Sequence, residues 1–365
     1  MVKTTLMKKT FLFTLHSLAG LLSGCFILLM SVSGALLVFH DELDGFQQPD
    51  VGFNQENTKN ISVDSSYNSI KLKYPRAQIS SCNRPDNTTT PFIFSIYDSS
   101  YKNGTAALQI FLHPQTGAVL ATRGSKDMQN NFMSWLSVFH NSFHLGKTGE
   151  WLLGFFAIIF LISLVTGTIL FRKSLLAVLL FKKKVFRKNN LHQLIGVYAL
   201  LFNLMMGFTG FWMQRYVFKK EFYSSDNYTP ILKSSPALFF SFDSSYKKMQ
   251  EQYPDFTGYV IYFTQSKKGK TAVYGSRASN SFIHSKKYAD VIFLDSTGAV
   301  AKTAFVTDID ADSRRDIINA QVHYGKYGGL PVKILYCLLG LTSGLLSITG
   351  FLLWRKRQKN RAKRT

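Results

Sequence analysis

Long apolar runs alternate with long polar segments along the chain. A helix that crosses a bilayer needs about 20 predominantly apolar residues. Four runs meet this length, and we predict transmembrane helices over 11–40, 136–171, 191–216 and 323–354. The first run is too long for a removable signal peptide, and no cleavage site of small residues follows it. The pattern predicts an α-helical integral membrane protein with two large polar segments between its helices.

The four runs share a second pattern, in which a histidine is followed at a fixed distance by a small residue and a glycine. The distance from histidine to glycine is 18 residues in the first and third runs and 27 residues in the second and fourth. The matched positions are His16 with Ser33-Gly34, His192 with Thr209-Gly210, His140 with Thr166-Gly167 and His323 with Thr349-Gly350. We therefore predict that a unit of two membrane helices is duplicated.

Positive charge is concentrated in three short segments, and its position matters more than the net charge of +22. These are the residues before the first helix, the loop 172–190 and the tail 355–365, and none of them contains Asp or Glu. Basic segments stay on the cytoplasmic side of membrane proteins. The loop, the tail and both termini are thus predicted to be cytoplasmic at a bacterial inner membrane. The charge then reflects topology, and no nucleic-acid partner is expected.

The two long connections, 41–135 and 217–322, then lie in the periplasm, and each is long enough for one small domain. Both contain a short helix that ends at Tyr-Pro, then alternating strands, then a hairpin around Thr-Gly. The helices are predicted at 63–73 and 243–253, and the hairpins at 110–119 and 292–300. We expect a helix packed on a small antiparallel sheet, twice, which is two small α+β domains.

Topology places the histidines in two pairs, one near each face of the membrane. His16 and His192 lie near the cytoplasmic face, and His140 and His323 lie near the outer face. Each pair comes from two helices, as a haem held between two histidines requires. Ionisable residues in membrane helices are costly and usually functional. A haem b at each pair, about two per chain, is the leading interpretation, and structural histidines are the alternative.

Four further residues could belong to these sites. Gly20 and Gly196 lie four residues after His16 and His192, on the same helix face, and would leave room for a flat macrocycle. They could equally serve close helix packing. His40 and His144 could supplement the outer pair, or act only as hydrogen-bonded interfacial histidines.

Other metal chemistry is less well supported by the sequence. The cytoplasmic pair has no third His, Cys, Asp or Glu nearby, as zinc would require. A copper site would need Cys or Met at a useful spacing. The three cysteines form no CxxC or CxxCH motif, which excludes covalent haem attachment and makes an internal disulfide improbable.

The chain resembles the PepSY-associated transmembrane family over essentially its whole length. The most specific stretches are the residues from His16 to Glu42, the segment from Leu191-His192 onwards, 322–331 and 349–355. The resemblance implies PepSY-like outer domains, haem iron on His16, His140, His192 and His323, and a role in ferric-siderophore reduction. One departure is Ser33-Gly34, where the family favours Thr-Gly. No flavin reductase domain follows, so we expect a separate electron donor, either a quinol or a cytoplasmic reductase.

Three hypotheses for function follow. The first is an enzyme of the lipid bilayer that passes electrons to a periplasmic ferric siderophore or other ferric chelate. The second is a non-enzymatic PepSY-type envelope protein that binds or regulates, with a membrane anchor. The third is a permease for iron chelates. We disfavour it because the predicted helices show no acidic residue or broken-helix pair of the kind that forms a transport site.

Overall fold

A computed structural model describes residues 2–50, 60–85, 90–98, 106–124, 127–180, 191–219, 221–222, 235–278, 285 and 287–363. The chain divides into two compact units, each built from separate stretches of sequence. The helical unit comprises Met1–His40, Leu136–Asp226 and Val322–Thr365. The sheet unit comprises Asp41–Trp135 and Asn227–Gln321.

The helical unit is built around three long helices, α1 (Val2–Leu37), α5 (Lys147–Leu179) and α10 (Gly329–Ala362). Each contains an apolar stretch long enough to cross a membrane, with a mean hydropathy of 2.0, 2.5 and 1.8 respectively. Helix α1 packs against both α5 and α10. These helices place the protein in a lipid bilayer. They also run beyond the predicted bounds, since α5 enters the predicted loop and α10 continues into the predicted tail. Residues 181–190 of that loop lie outside the described residues.

The third predicted membrane helix, 191–216, is broken. Helix α6 (Leu191–Tyr198) and helix α7 (Leu200–Gln214) meet at Ala199. The bend between α6 and the segment Leu200–Phe218 is 67°. The described residues thus contain three long apolar helices, or four membrane spans if the bent pair counts as one. The prediction that no membrane helix is broken was therefore wrong.

The bent pair removes one of the two arguments against the permease hypothesis, and Glu150 removes the other. Glu150 lies within the predicted span 136–171, in the first turn of α5. Its carboxylate accepts a hydrogen bond of 2.8 Å from the hydroxyl of Tyr216. An acidic residue and a broken helix are therefore both present, and the permease is not excluded on the grounds first given.

Two short helices precede the long helices α5 and α10. Helix α4 (Phe132–Ser142) carries His140, and helix α9 (Ala311–Tyr324) carries His323. Residues with positive φ end both helices and separate them from the long ones, because the left-handed conformation cannot continue a right-handed helix. These residues are Phe143, His144 and Gly146 after α4 and Gly325 after α9, and Gly329, the first residue of α10, also has positive φ. The spans predicted over 136–171 and 323–354 are therefore each divided by a turn.

The sheet unit contains one antiparallel sheet of eight strands in the order β4-β3-β2-β1-β5-β6-β7-β8. The strands of its first half are β1 (Gln78–Asn83), β2 (Phe92–Asp98), β3 (Ala106–Leu112) and β4 (Val119–Gly124). Those of its second half are β5 (Phe256–Tyr262), β6 (Thr271–Arg277), β7 (Asp290–Leu294) and β8 (Val300–Ala304). Strands β1 and β5 pair directly, with Cys82 opposite Ile261.

This pairing changes the predicted organisation of two separate small domains. Alone, each half would leave an edge strand with unpaired backbone N–H and C=O groups. Joining β1 to β5 satisfies both edges and merges the halves into one sheet and one core. The predicted hairpins are confirmed, since β3–β4 and β7–β8 are joined by turns at Gly117 and Gly298, both with positive φ.

Two helices, α3 (Val63–Lys73) and α8 (Phe242–Gln252), supply apolar side chains to the core of the sheet unit. Their bounds confirm the predicted helices to within one residue. Each ends just before the Tyr-Pro pair, where proline stops a helix. The core includes the fully buried side chains of Tyr67, Ile70, Phe94, Phe242 and Phe256.

Candidate functional site

His16 on α1 and His192 on α6 face each other within the helical unit. Their ring centroids are 6.2 Å apart, and the ring planes are inclined by 66°. The structure thus brings together the two histidines that the repeat assigned to the cytoplasmic side. The two rings come from different helices, and both are partly buried.

The Nδ1 atoms of these two rings contact the helix that follows in each half. Nδ1 of His16 lies 2.9 Å from the backbone carbonyl of Ser163 and 3.4 Å from Oγ1 of Thr166, both on α5. Nδ1 of His192 lies 3.0 Å from Oγ1 of Thr349 on α10. Each ring is thus anchored to the adjacent helix through one nitrogen.

The other two histidines are held in a similar way. Nδ1 of His140, on α4, lies 2.8 Å from the hydroxyl of Ser33 on α1. Nδ1 of His323, on α9, lies 2.9 Å from Oγ1 of Thr209 on α7. Among the described residues, no group forms a hydrogen bond with Nε2 of any of the four histidines.

A glycine lies against each histidine ring, next in sequence to the hydroxyl residue. A Cβ atom built on these glycines would stand 3.0–3.3 Å from Cε1 of the ring, closer than ordinary contact. The pairs are Gly167 with His16, Gly34 with His140, Gly210 with His323 and Gly350 with His192. In the sequence, these Ser/Thr-Gly pairs stand out only as part of the repeat and indicate no role. Their constant distance from a histidine was the signal that could have identified them.

The remaining predicted site residues lie elsewhere. A Cβ atom on Gly20 would be 3.7 Å from Oγ of Ser163, and one on Gly196 would be 3.7 Å from Cδ2 of Leu346. Both glycines therefore face a neighbouring helix, as the packing alternative expects. His40 begins the short helix α2 (His40–Gly45), and His144 is exposed in the turn after α4. The described residues contain no group of three or more His, Cys, Asp or Glu side chains placed to hold a metal ion.

The inner pair has a spacing at which both rings could ligate one metal atom. Two metal–nitrogen bonds of about 2 Å, plus roughly 1.1 Å from each nitrogen to its ring centre, place two such rings about 6 Å apart. The observed centroid separation of 6.2 Å agrees with this value. His16 and His192, which come from different helices, are the residues that would hold such a metal.

The helices, the sheet unit and the paired histidines define a membrane protein with an antiparallel sheet region. The family described as PepSY-associated TM region matches residues 13–357, nearly the whole chain. The chain belongs to this family. Comparison with curated proteins gives no significant match.

Proposed function

We propose that this protein is a haem-binding oxidoreductase of the bacterial inner membrane that carries electrons across the bilayer and reduces ferric chelates in the periplasm. His16 and His192 would hold one b-type haem, and His140 and His323 a second. When bound, haem supplies the one-electron chemistry of iron between its ferric and ferrous states. The observation that supports this most strongly is the pairing of His16 with His192 at 6.2 Å.

The surroundings of the histidines support a haem at each pair. Each ring engages Nδ1 in a hydrogen bond and leaves Nε2 without a hydrogen-bond partner among the described residues. Nε2 is therefore the ring nitrogen that would bind the iron. A glycine beside each ring keeps a side chain from displacing it. The same arrangement occurs four times, and we infer from it that the chain is a duplicated two-helix unit.

The direction of transfer rests on the distribution of charge. The basic segments before α1, within 172–190 and after residue 354 favour the cytoplasm, which would place the sheet unit in the periplasm. Along the chain, His140 and His323 follow closely after the two stretches of the sheet unit that end at Trp135 and Gln321. The outer pair is therefore the exit of this scheme, and a quinol or a cytoplasmic reductase would supply the inner pair.

The choice of acceptor comes from the family resemblance. Siderophores bind ferric iron through oxygen donors, and reduction to ferrous iron weakens that binding. The residues themselves support redox chemistry only, so the siderophore is the part of the proposal that needs its own measurement.

Absorption spectra of the purified protein, oxidised and dithionite-reduced, test the first part. We expect a Soret band and a pyridine haemochrome of the b type, approaching two haems per chain. A folded but colourless protein from haem-replete cells would refute the proposal. For the acceptor, anaerobic addition of a ferric hydroxamate to reduced protein should yield ferrous iron trapped by ferrozine. Reoxidation by a quinone but by no ferric chelate would refute the siderophore assignment alone.

One observation favours the non-enzymatic alternative, a PepSY-type envelope binding or regulatory protein. Tyr262, Tyr274 and Tyr288 form a chain of aromatic contacts in the sheet unit, with ring centroids 5.5 and 6.1 Å apart. Tyr262 and Tyr288 are 42% and 47% exposed. Exposed tyrosines of this kind are common in recognition surfaces. The same spectra separate the two functions, because a binding protein would carry no haem.

A further inference from the structure

The hydrogen bonds of the four histidines determine which ring nitrogen carries the hydrogen. The clearest case is His16, whose Nδ1 lies 2.9 Å from the backbone carbonyl of Ser163. A carbonyl oxygen only accepts hydrogen bonds, so Nδ1 of His16 must be the donor. In a neutral imidazole the other nitrogen, Nε2, then carries the lone pair.

The hydroxyl partners lead to the same result at the other three histidines. Each hydroxyl also lies close to the backbone carbonyl four residues earlier in its own helix. The distances are 2.7 Å from Ser33 to Leu29, 2.8 Å from Thr209 to Met205 and 2.7 Å from Thr349 to Leu345. A hydroxyl has one hydrogen, and the carbonyl can only accept it. The hydroxyl oxygen is therefore left to accept from Nδ1–H of the histidine.

We propose that Ser33, Thr166, Thr209 and Thr349 are positioning residues that hold the four histidines with the hydrogen on Nδ1 and present the Nε2 lone pairs as iron ligands. Histidines that bind metals commonly donate their other ring N–H in this way, which fixes the ring and raises its basicity. The identity of the ligand rests on the proposed function. The hydrogen-bonding pattern itself does not require a bound haem.

The four histidines differ in the number of acceptors. His16 has a backbone carbonyl, from Ser163, in addition to a threonine hydroxyl. In the part of the chain that the structure describes, Nδ1 of His140, of His192 and of His323 each has a hydroxyl alone as its partner. Loss of the hydroxyl should therefore matter least at His16, because the Ser163 carbonyl remains there. This difference separates a positioning role from general damage to helix packing.

The first experiment uses haem-free protein, prepared from haem-deficient cells in detergent and labelled with ¹⁵N-histidine. Nitrogen chemical shifts distinguish a ring with hydrogen on Nδ1 from one with hydrogen on Nε2. We expect the Nδ1–H form at all four histidines, and a mixture of both forms at His323 in Thr209→Val. An Nε2–H form at any of the four histidines of the wild-type protein would overturn the assignment for that residue.

The second experiment uses the haem-loaded protein and reads the reduction potential and the low-spin ferric EPR signal. Ser33→Ala and Thr209→Val should each weaken haem binding at the outer site roughly 10- to 100-fold. Any haem retained there should have a higher potential, because a less basic imidazole stabilises ferric iron less. Ser33→Thr keeps a hydroxyl at this position and should therefore show the haem affinity, reduction potential and EPR signal of the wild-type protein. Thr166→Val should have a smaller effect, since the Ser163 carbonyl still accepts from His16.

Matched controls are present in the same helices. Thr168 and Ser23 donate to the carbonyl four residues earlier, as the positioning residues do, but form no hydrogen bond with a histidine among the described residues. Thr168→Val and Ser23→Ala should leave the EPR signal and both potentials unchanged. Equal shifts in the controls and in Thr209→Val would overturn the proposal, as would unchanged spectra in Ser33→Ala and Thr209→Val with haem bound. Absence of haem from the wild-type protein would instead refute the proposed function and leave the NMR result to stand alone.

Discussion

The ring of His140 lies against Gly34, so that a Cβ atom at position 34 would stand 3.1 Å from Cε1 of the ring. Gly34→Ala must therefore displace the imidazole by a few tenths of an ångström. We predict a loss of haem affinity of roughly 10-fold or more at the outer site, similar to the loss of a group that orients a metal ligand. Haem titration of the purified variant measures this loss.

Gly340→Ala provides the matched control for this substitution. Gly340 lies within α10, and a Cβ atom there would meet nothing within 4 Å. Alanine is favoured over glycine inside a helix by roughly 1 kcal/mol, so the control should fold at least as well as the wild type. Equal haem affinity in Gly34→Ala and the wild-type protein would contradict the proposed site.

The two haem sites should be separable by substitution. His16→Ala or His192→Ala should remove one haem and leave the other, and His140→Ala or His323→Ala should do the reverse. The reason is that the inner histidines contact α5 and α10, whereas the outer histidines contact α1 and α7. The pyridine haemochrome assay should give about half the wild-type haem in each variant. Complete loss from every single variant, in protein that remains folded, would contradict two independent sites.

The buried ion pair between Arg123 and Asp44 should dominate the local stability of the sheet unit. Its atoms are 2.8 Å apart, and the two side chains are only 5% and 9% exposed. Arg123→Met leaves the Asp44 carboxylate buried without its partner, which typically costs about 3–5 kcal/mol. Native-state hydrogen exchange of the β3 and β4 amides measures the change in unfolding free energy.

The same substitution in an exposed pair is the control for Arg123→Met. Arg315 forms an ion pair with Asp312, and these side chains are 62% and 82% exposed. Exposed pairs contribute about 0–1 kcal/mol, so Arg315→Met should change the unfolding free energy by no more than that. Similar losses of unfolding free energy in Arg123→Met and Arg315→Met would contradict the prediction for the buried pair.

The helix caps of the sheet unit predict a pH dependence of stability. Asp243 accepts from the backbone N–H groups of Val63 and Asp64, and Asp64 accepts from that of Phe242, so α3 and α8 cap each other. Burial raises the pKa of Asp64 above its ordinary value of 3.8, the hydroxyl of Ser241 lowers it, and the nearby Asp243 raises it further. The folded state thus holds this proton to a higher pH than the unfolded state does.

The stabilising contribution of Asp64 is therefore fully present below its unfolded pKa and is lost as the pH rises through the raised folded pKa. Asp64→Asn keeps an oxygen that can accept from Phe242 N–H but cannot ionise. From about pH 4 upwards, where the carboxyl ionises, we predict that the unfolding free energy of Asp64→Asn changes less with pH than that of the wild-type protein. Thermal unfolding in detergent at a series of pH values measures this. Parallel profiles for the variant and the wild type would contradict the prediction.

The proposed topology makes the sheet unit accessible from the periplasm. Protease added to intact spheroplasts should cut within 41–135 or 217–322 and spare the loop 172–190, because basic segments are retained in the cytoplasm. Cleavage confined to the loop would contradict this topology and indicate the opposite orientation. Such a result would also move the acceptor to the cytoplasmic side.

The sequence was sufficient to predict the pairing of His16 with His192, because equal spacing in two similar helices places equivalent residues at equal depth. It also predicted α3, α8 and both hairpins, whose signals are local: a Tyr-Pro stop and a Thr-Gly turn. The bend at Ala199 has no such signal, since neither proline nor glycine lies at that position. Next to the bend, the Tyr198 hydroxyl donates to the Val178 carbonyl of α5, a tertiary contact that local sequence signals do not predict.

The roles of Ser33, Thr166, Thr209 and Thr349 could not be derived from the sequence for a related reason. Each hydroxyl acts on a histidine of another helix, and the identity of that helix depends on how the helices pack. The pairing of β1 with β5 is similar, because strand alternation predicts a strand but not its neighbour.

The pairing of β1 with β5 also constrains the order in which the sheet can form during synthesis. Strand β1 ends at Asn83, whereas β5 begins at Phe256 of a chain of 365 residues. During synthesis the first four strands emerge together. The outer edge of β1 remains unpaired until β5, which follows α4, α5, α6 and α7 in the chain, has been made. A nascent chain that stops before residue 256 therefore exposes the backbone of β1 to other chains. Completion of the sheet depends on successful insertion of the helices that separate its two halves.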